Sequence, residues 1–285
     1  MAGNRFLHYN GKIYNPDKLF ISPNNRSFRY GDGFFETMKI INGKIILQDL
    51  HFERLFSSLE LLQFEKPNFF TPGYLQKNIE AVAQKNYHNK LGRIRLMIFR
   101  GDGGLYDPEN HFPNHLIQTW EMNAANNLFN ENGLHIDIFP DARKACDNYS
   151  HVKSNNYLSY AMAALWAKRN HLNDAIVLNS YNRIADATIA NIFIVKDGVV
   201  KTPALTEGCV SGVTRKYLLD CLRKENIPVK ETGIEAEELL QAHEIFLTNA
   251  GYGIRWVQRC ANSNYTNELS NLLHKKFIQP LFIAQ

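Results

Sequence analysis

Lys153 stands in the run Ser150-His151-Val152-Lys153-Ser154-Asn155-Asn156-Tyr157-Leu158. An amine condenses with a carbonyl only when uncharged, so an imine-forming lysine needs surroundings that disfavour its ammonium form. Apolar residues follow at Tyr157, Leu158, Ala161, Met162, Leu165 and Trp166. That spacing predicts a helix with one buried stripe, capped at its start by Ser154 or Asn155. Lys153 then lies just before the positive end of a helix dipole. Position alone favours a plainer reading, a solvated loop lysine.

Two cationic or amide-rich features suit an anion. The run Gly208-Cys209-Val210-Ser211-Gly212-Val213-Thr214-Arg215 passes from a loop into a helix. The first N–H groups of a helix point outward without partners, and Gly212 lets a ligand approach the backbone closely. Arg54, in His51-Phe52-Glu53-Arg54-Leu55, carries a guanidinium that matches phosphate in a bidentate way. Taken alone it reads as a surface helix arginine. Taken alone, Asp186 reads as a strand-end aspartate.

These residues need elements to hold them. Asn10-Gly11, Asn42-Gly43 and Asp197-Gly198 each separate two apolar runs, so three hairpins are predicted over 6–14, 34–47 and 190–202. Asp49 is placed to cap a helix running to about residue 64, with Leu50, Leu55, Leu59 and Leu62 inside. Pro72 opens a second helix. Strands are predicted at 93–99, 115–122, 134–139, 174–178, 244–248 and 254–259. Helices are predicted after Gly212, at 235–242 and at 268–277. Residues 100–104 form a glycine-rich loop. Strands and helices mix in both halves, so the class is α+β, or mixed α/β. The Asn-rich stretch 123–133 reads as a linker.

The segment from Lys153 to Leu158 resembles the lysine motif of the class IV, or fold-type IV, pyridoxal-phosphate enzymes. Three further segments match in the family's order: Tyr30-Gly31-Asp32-Gly33-Phe34-Phe35-Glu36, Arg183-Ile184-Ala185-Asp186-Ala187-Thr188-Ile189-Ala190-Asn191-Ile192-Phe193, and Gly212-Val213-Thr214-Arg215. The family includes branched-chain and D-amino-acid aminotransferases and 4-amino-4-deoxychorismate lyase. The resemblance implies a smaller N-terminal α/β domain (1–122), the linker, and a larger cofactor-binding domain (134–285) with a barrel-like sheet. It implies pyridoxal 5'-phosphate (PLP) as cofactor, held as an imine by the catalytic Lys153. Arg54, with the turn of Gly212, Val213 and Thr214, is implied for the phosphate. Tyr157 is implied for the phenolic oxygen, and Asp186 for the ring nitrogen, where the family usually has glutamate. Ile189, Asn249 and Ala250 are the other implied cofactor contacts. Tyr30 and Phe35 would line the substrate pocket, and Arg100 or His111 would meet a substrate carboxylate.

The expected activity is amino-group transfer between an amino acid and an oxo acid. The lyase, releasing pyruvate to give 4-aminobenzoate, is the alternative. Its cues are Asn249-Ala250 and Arg100-Gly101-Asp102-Gly103-Gly104. A non-catalytic PLP-binding protein is a second alternative, suggested by Asp186. A pure interaction module would use the 18 Phe and 13 Tyr, but most fall on periodic core stripes. The partner expected is a small amino substrate, and the family implies a homodimer. With 45% apolar and 21% charged residues among 285, the chain can build a substantial core. A net charge of +4 without a dense basic block argues against nucleic acid. No signal-like or membrane-spanning apolar run is expected. The four cysteines and ten histidines have no metal-ligand spacing, and unpaired cysteines suit a reducing cytoplasm.

Overall fold

The structure is a computed structural model that describes residues 5–106 and 111–283. The chain divides into two compact units, Met1–Ala124 with Lys153–Asn156, and Ala125–Val152 with Tyr157–Ala284.

In the first unit the hairpin β1 (Leu7–Tyr9) and β2 (Lys12–Tyr14) turns through Asn10 and Gly11, both at positive φ. A short helix α1 (Arg26–Tyr30) follows, capped by the Asn25 side chain. Next come β3 (Gly33–Ile41), β4 (Lys44–Ile45), α2 (Gln48–Leu61), α3 (Pro72–Lys85), β5 (Leu91–Phe99) and β6 (Asn114–Glu121). The sheet order is β2-β1-β6-β5-β3-β4. Strands β3 and β5 pair antiparallel along their whole length, with Thr37 opposite Arg95. Thr71 caps α3, accepting from the Tyr74 N–H, and Pro72 sits where a missing N–H costs nothing.

Helix α2 starts differently from its sequence reading. Its N-cap is Leu47, in the left-handed region, and Asp49 lies within the first turn. Its buried face carries Leu55 and Leu59 as expected, but His51 and Phe52 take the places assigned to Leu50 and Leu62.

The second unit contains β7 (Leu134–Lys144), α4 (Leu158–Arg169), β8 (Asp174–Asn179), β9 (Ile184–Ala187), β10 (Asn191–Lys196) and β11 (Val199–Pro203). It continues with α5 (Val213–Lys224), β12 (Val229–Thr232), α6 (Ala236–Leu240), β13 (Glu244–Asn249), β14 (Gly253–Cys260), β15 (Ser263–Asn264), α7 (Glu268–Leu273) and α8 (Gln279–Ile283). One curled sheet runs β12-β11-β10-β13-β14-β7-β8-β9, with β15 on β14. Its inner face is apolar: Ile176, Ile192, Ile194, Ile245 and Leu247 are fully buried together. Each such side chain contributes about 2 kcal/mol.

Helix α4 departs most from expectation. It begins at Leu158, and neither Ser154 nor Asn155 caps it. Tyr160, Ala163 and Ala167 face the sheet, against Phe139, Ala175 and Val177. Leu158, Met162 and Leu165, assigned to the buried stripe, are exposed. Small alanines let the helix lie close to β7 and β8, and that gain outweighs burying the bulkier face.

Candidate active-site residues in the two units

In the first unit, backbone pairing holds Lys153. The Phe35 N–H donates to the Lys153 carbonyl at 2.9 Å, and the Asn155 N–H donates to the Gly33 carbonyl at 2.9 Å. The Asn155 amide also donates to Ser27 Oγ at 2.9 Å. Gly33 permits this closeness, since a Cβ there would fall 2.4 Å from the Ile98 carbonyl oxygen and 2.7 Å from Asn155 Nδ2. The segment 153–156 is therefore an extended addition to the start of β3, not the first turn of a helix. Lys153 does not sit at the positive end of a helix dipole, because five positions separate it from Leu158. Its Nζ lies 4.7 Å from the centroid of the Phe35 ring. The Arg95 guanidinium stacks on the same ring at 3.7 Å. The sequence reading passed over Arg95, although its signal was present: an arginine in an alternating strand.

Arg54 projects from α2 onto Glu36, donating through Nε at 2.8 Å and Nη2 at 2.6 Å. His51 Nδ1 lies 2.7 Å from the same carboxylate. Burial by itself would raise the Glu36 carboxyl. The Arg54 charge and the hydrogen bonds from His51 and Arg54 outweigh it and bring the pKa down to about 2. Burial pushes the His51 imidazole below its usual value, with Glu36 opposing. Arg54 is thus fixed in direction by a buried carboxylate.

Tyr30 ends α1, partly exposed, with the Arg29 guanidinium over its ring. Arg100 is committed to structure: it donates to Asp32 at 2.7 Å and to the carbonyls of Leu62 and Gln63 at 2.5 and 3.0 Å. Asp32 also accepts from Arg26 at 2.8 Å. Arg100, which with His111 was the expected partner of a substrate carboxylate, is thus already engaged by Asp32 and two backbone carbonyls. His111 accepts the Glu65 N–H through its carbonyl, and its buried Nδ1 has no hydrogen-bond partner among the described residues.

In the second unit, Asp186 on β9 is 2% exposed. Its Oδ2 accepts from the Tyr160 hydroxyl at 2.7 Å, the Val210 N–H at 2.8 Å and Lys144 Nζ at 3.2 Å. Among the described residues its Oδ1 accepts from Asn191 Nδ2 alone, at 2.9 Å. The second Asn191 amide hydrogen goes to the Val210 carbonyl at 2.7 Å. Burial, then the neighbouring Asp186 charge, drives the Tyr160 hydroxyl well above its usual pKa. The Tyr157 and Tyr160 rings lie 4.4 Å apart, and the Tyr157 hydroxyl donates to the Thr188 carbonyl at 3.1 Å.

The turn after β9 is fastened from below. Asp174 accepts from both the N–H and the hydroxyl of Thr188, at 3.0 and 2.6 Å. Ile189 stands exposed at its tip, and its carbonyl accepts from Asn249 Nδ2 at 3.3 Å. Asn249 Oδ1 in turn accepts from Gly251 and Tyr252, closing the turn that contains Ala250. Beside it the buried Thr248 hydroxyl has no hydrogen-bond partner among the described residues. Gly212 is the N-cap of α5, so Val213 and Thr214 form the first turn, with N–H groups that lack intrahelical acceptors. Arg215, by contrast, is buried against Pro203 and Glu231.

These features suit an aromatic phosphate ester with a basic ring nitrogen. Oδ1 of Asp186 retains an open acceptor position, α5 presents its N-terminus, and the Thr248 hydroxyl is unsatisfied. Residues 33–260 match the family described as amino-transferase class IV. The chain belongs to that family. It is therefore an enzyme of the class IV aminotransferases. It is 27% identical over 248 residues to a D-alanine aminotransferase of Listeria monocytogenes, covering 84% of this chain and 82% of that one. It is also 27% identical over 285 residues to an aminodeoxychorismate lyase of Bacillus subtilis, covering 96% and 94%. Its fold matches a T.th. branched-chain amino acid aminotransferase complexed with N-(5'-phosphopyridoxyl)-L-glutamate, with TM-score 0.86, 20% identity and coverage of 100% and 96%. Class IV membership confirms the mixed α/β, fold-type IV expectation.

Proposed function

We propose that this class IV enzyme is a PLP-dependent aminotransferase that moves an amino group between an amino acid and an oxo acid. The observation that carries this reading is Asp186: a buried carboxylate, held rigidly, with one oxygen able to accept a further proton donor. The phosphopyridoxyl ligand of the branched-chain relative supports the choice of cofactor. Bound PLP would supply an aldehyde that condenses with amines and a cationic ring that accepts electron density.

The chain's own residues would do the rest. The Lys153 amine would anchor the cofactor and, once released by substrate, carry a proton as base and then acid. Asp186 Oδ1 would hold the proton on the ring nitrogen. Arg54, oriented by Glu36, and the N–H groups of Val213 and Thr214 would bind phosphate, while the Gly212 N–H donates to the Val210 carbonyl at 2.8 Å and the glycine leaves room beside them. Tyr157, Ile189, Asn249 and Ala250 would border the ring and its phosphate side. Phe35 and Tyr30 would line the substrate side, with Arg95 or His111 as carboxylate partner in place of Arg100.

The lyase is the second reading. It is supported by the 27% identity to the Bacillus subtilis aminodeoxychorismate lyase, and by the resemblance of Asn249-Ala250, whose asparagine closes the turn after β13, to the lyase branch. A homodimer is proposed as well, because Phe20, Phe28 and Tyr106 of the first unit stand at least 79% exposed. None of the four cysteines is paired, which supports a cytoplasmic setting.

The purified protein with added PLP should absorb in the visible range, and Lys153→Ala should abolish that band. Turnover should then be measured on a panel of amino acids with an oxo acid acceptor, and separately on 4-amino-4-deoxychorismate. Transfer identifies the aminotransferase, and pyruvate release identifies the lyase. A protein that stays colourless and inactive with PLP rejects both.

A further inference from the structure

The two oxygens of Asp186 are treated unequally. A carboxylate offers about four lone-pair positions, two on each oxygen. Oδ2 takes three donors, Tyr160, Val210 and Lys144, and is full. Among the described residues Oδ1 takes only Asn191. We propose that Lys144 and Tyr160 are positioning residues that turn Asp186 so that Oδ1 alone faces the cofactor's ring nitrogen, with the Lys144 charge weakening that carboxylate's hold on the nitrogen's proton. This inference rests on the role given to Asp186 above.

The charges around the carboxylate make Lys144 the decisive one. From β7 comes Lys144, 12% exposed, with its ammonium 5.2 Å from the Tyr160 ring centroid. From α4 comes Tyr160, kept protonated by burial and by Asp186 itself. From the turn before α5 comes the Cys209 thiol, which burial, then the Asp186 charge, pushes up to about 12. His151 faces Lys144, and burial, then the Lys144 charge, lowers its pKa. From β10 comes only the neutral amide of Asn191. Lys144 is therefore the cation that bonds directly to Asp186. A fixed positive charge beside the acceptor disfavours a second positive charge, the protonated ring, on its other side. Aspartate's single methylene makes such a cage fitting, since it draws the carboxylate back among β7, α4 and the turn at Val210.

The test uses the whole protein loaded with PLP labelled with nitrogen-15 in the ring, in wild-type, Lys144→Met, Lys144→Arg and Tyr160→Phe forms. The ring-nitrogen resonance is followed against pH, with the PLP dissociation constant measured alongside. Lys144→Met should keep the ring protonated to a pH about one unit higher, a tenfold gain in proton affinity. Lys144→Arg should stay near wild type, because it restores the charge. Tyr160→Phe should weaken PLP binding about tenfold by freeing the carboxylate to rotate. Bound PLP whose resonance is unmoved in Lys144→Met, or moved equally in Lys144→Arg, overturns this inference and leaves the aminotransferase reading standing. Failure of the wild type to bind PLP overturns both.

Discussion

Gly212 lies so close to Asn191 that a Cβ on the glycine would fall 1.8 Å from the amide oxygen Oδ1. Asn191 in turn bonds Asp186 and the Val210 carbonyl. The glycine at the start of α5 and the carboxylate on β9 are thus linked through one amide. Gly212→Ala should push Asn191 aside and disturb the carboxylate. The expected loss is about 1–3 kcal/mol of stability, as for other overpacked sites, with PLP affinity at least about tenfold weaker. Denaturant unfolding and PLP titration of the variant check both; unchanged values in each would show that Asn191 can move away without consequence.

Glu36 ties acid stability to the Arg54 site. Its pKa in the folded protein, about 2, lies below the ordinary 4.5. Its contribution is therefore complete above pH 4.5 and is lost as pH falls towards 2, and amounts to about 3 kcal/mol. Glu36→Gln should remove that portion of the acid dependence. It should also cost about 3 kcal/mol at neutral pH, because Arg54 would lose the carboxylate that neutralises it. Urea unfolding of both proteins at pH 7 and pH 3 measures the difference.

His115 should act in a higher pH window. It is 3% exposed beneath α3, with the Tyr74 hydroxyl 3.5 Å from Nε2 and the His8 ring 5.3 Å away. Burial, then the neighbouring His8, lowers its pKa to about 4. The unfolded chain takes up the proton first, so stability is complete above pH 6.5 and declines as pH falls towards 4, by about 3 kcal/mol in all. In His115→Gln, the slope of the unfolding midpoint between pH 6.5 and 4 should flatten. A slope identical to wild type would mean that another group titrates there.

Arg95 and Arg100 should separate function from support. Arg95→Leu should leave the unfolding temperature and the PLP spectrum nearly intact and raise KM about tenfold or more, if a carboxylate seats beside Phe35. Arg100→Leu should lower stability by about 2 kcal/mol, since Asp32 would keep only Arg26 and the carbonyls of Leu62 and Gln63 would lose a charged donor. Thermal melts and steady-state kinetics on both variants settle the assignment; a stable Arg100→Leu with a selective KM defect would return Arg100 to the substrate.

What could be read along the chain followed from local backbone rules. Asn10-Gly11, Asn42-Gly43 and Asp197-Gly198 announced hairpins because both turn positions need positive φ, and all six residues adopt it. Lys153, Asp186 and the turn at Gly212 stood out because their residue types and order resemble a known family, which residues 33–260 match. Sequence periodicity placed the longer strands and most helices for the same local reason, but it left out β9, β12, β15 and α1, which are too short to show a period. It failed on α4, where two faces are apolar and only packing against β7 and β8 selects the alanine side. It also placed Lys153 at a helix start, since nothing local shows that residues 153–156 pair with β3. The cage around Asp186 was equally hidden: Lys144, Tyr160 and Val210 are 42, 26 and 24 positions away along the chain. Turn chemistry is written in neighbouring residues, whereas the charge on a buried carboxylate is decided by whichever distant donors the sheet brings within 3 Å or so, and only the folded chain specifies those.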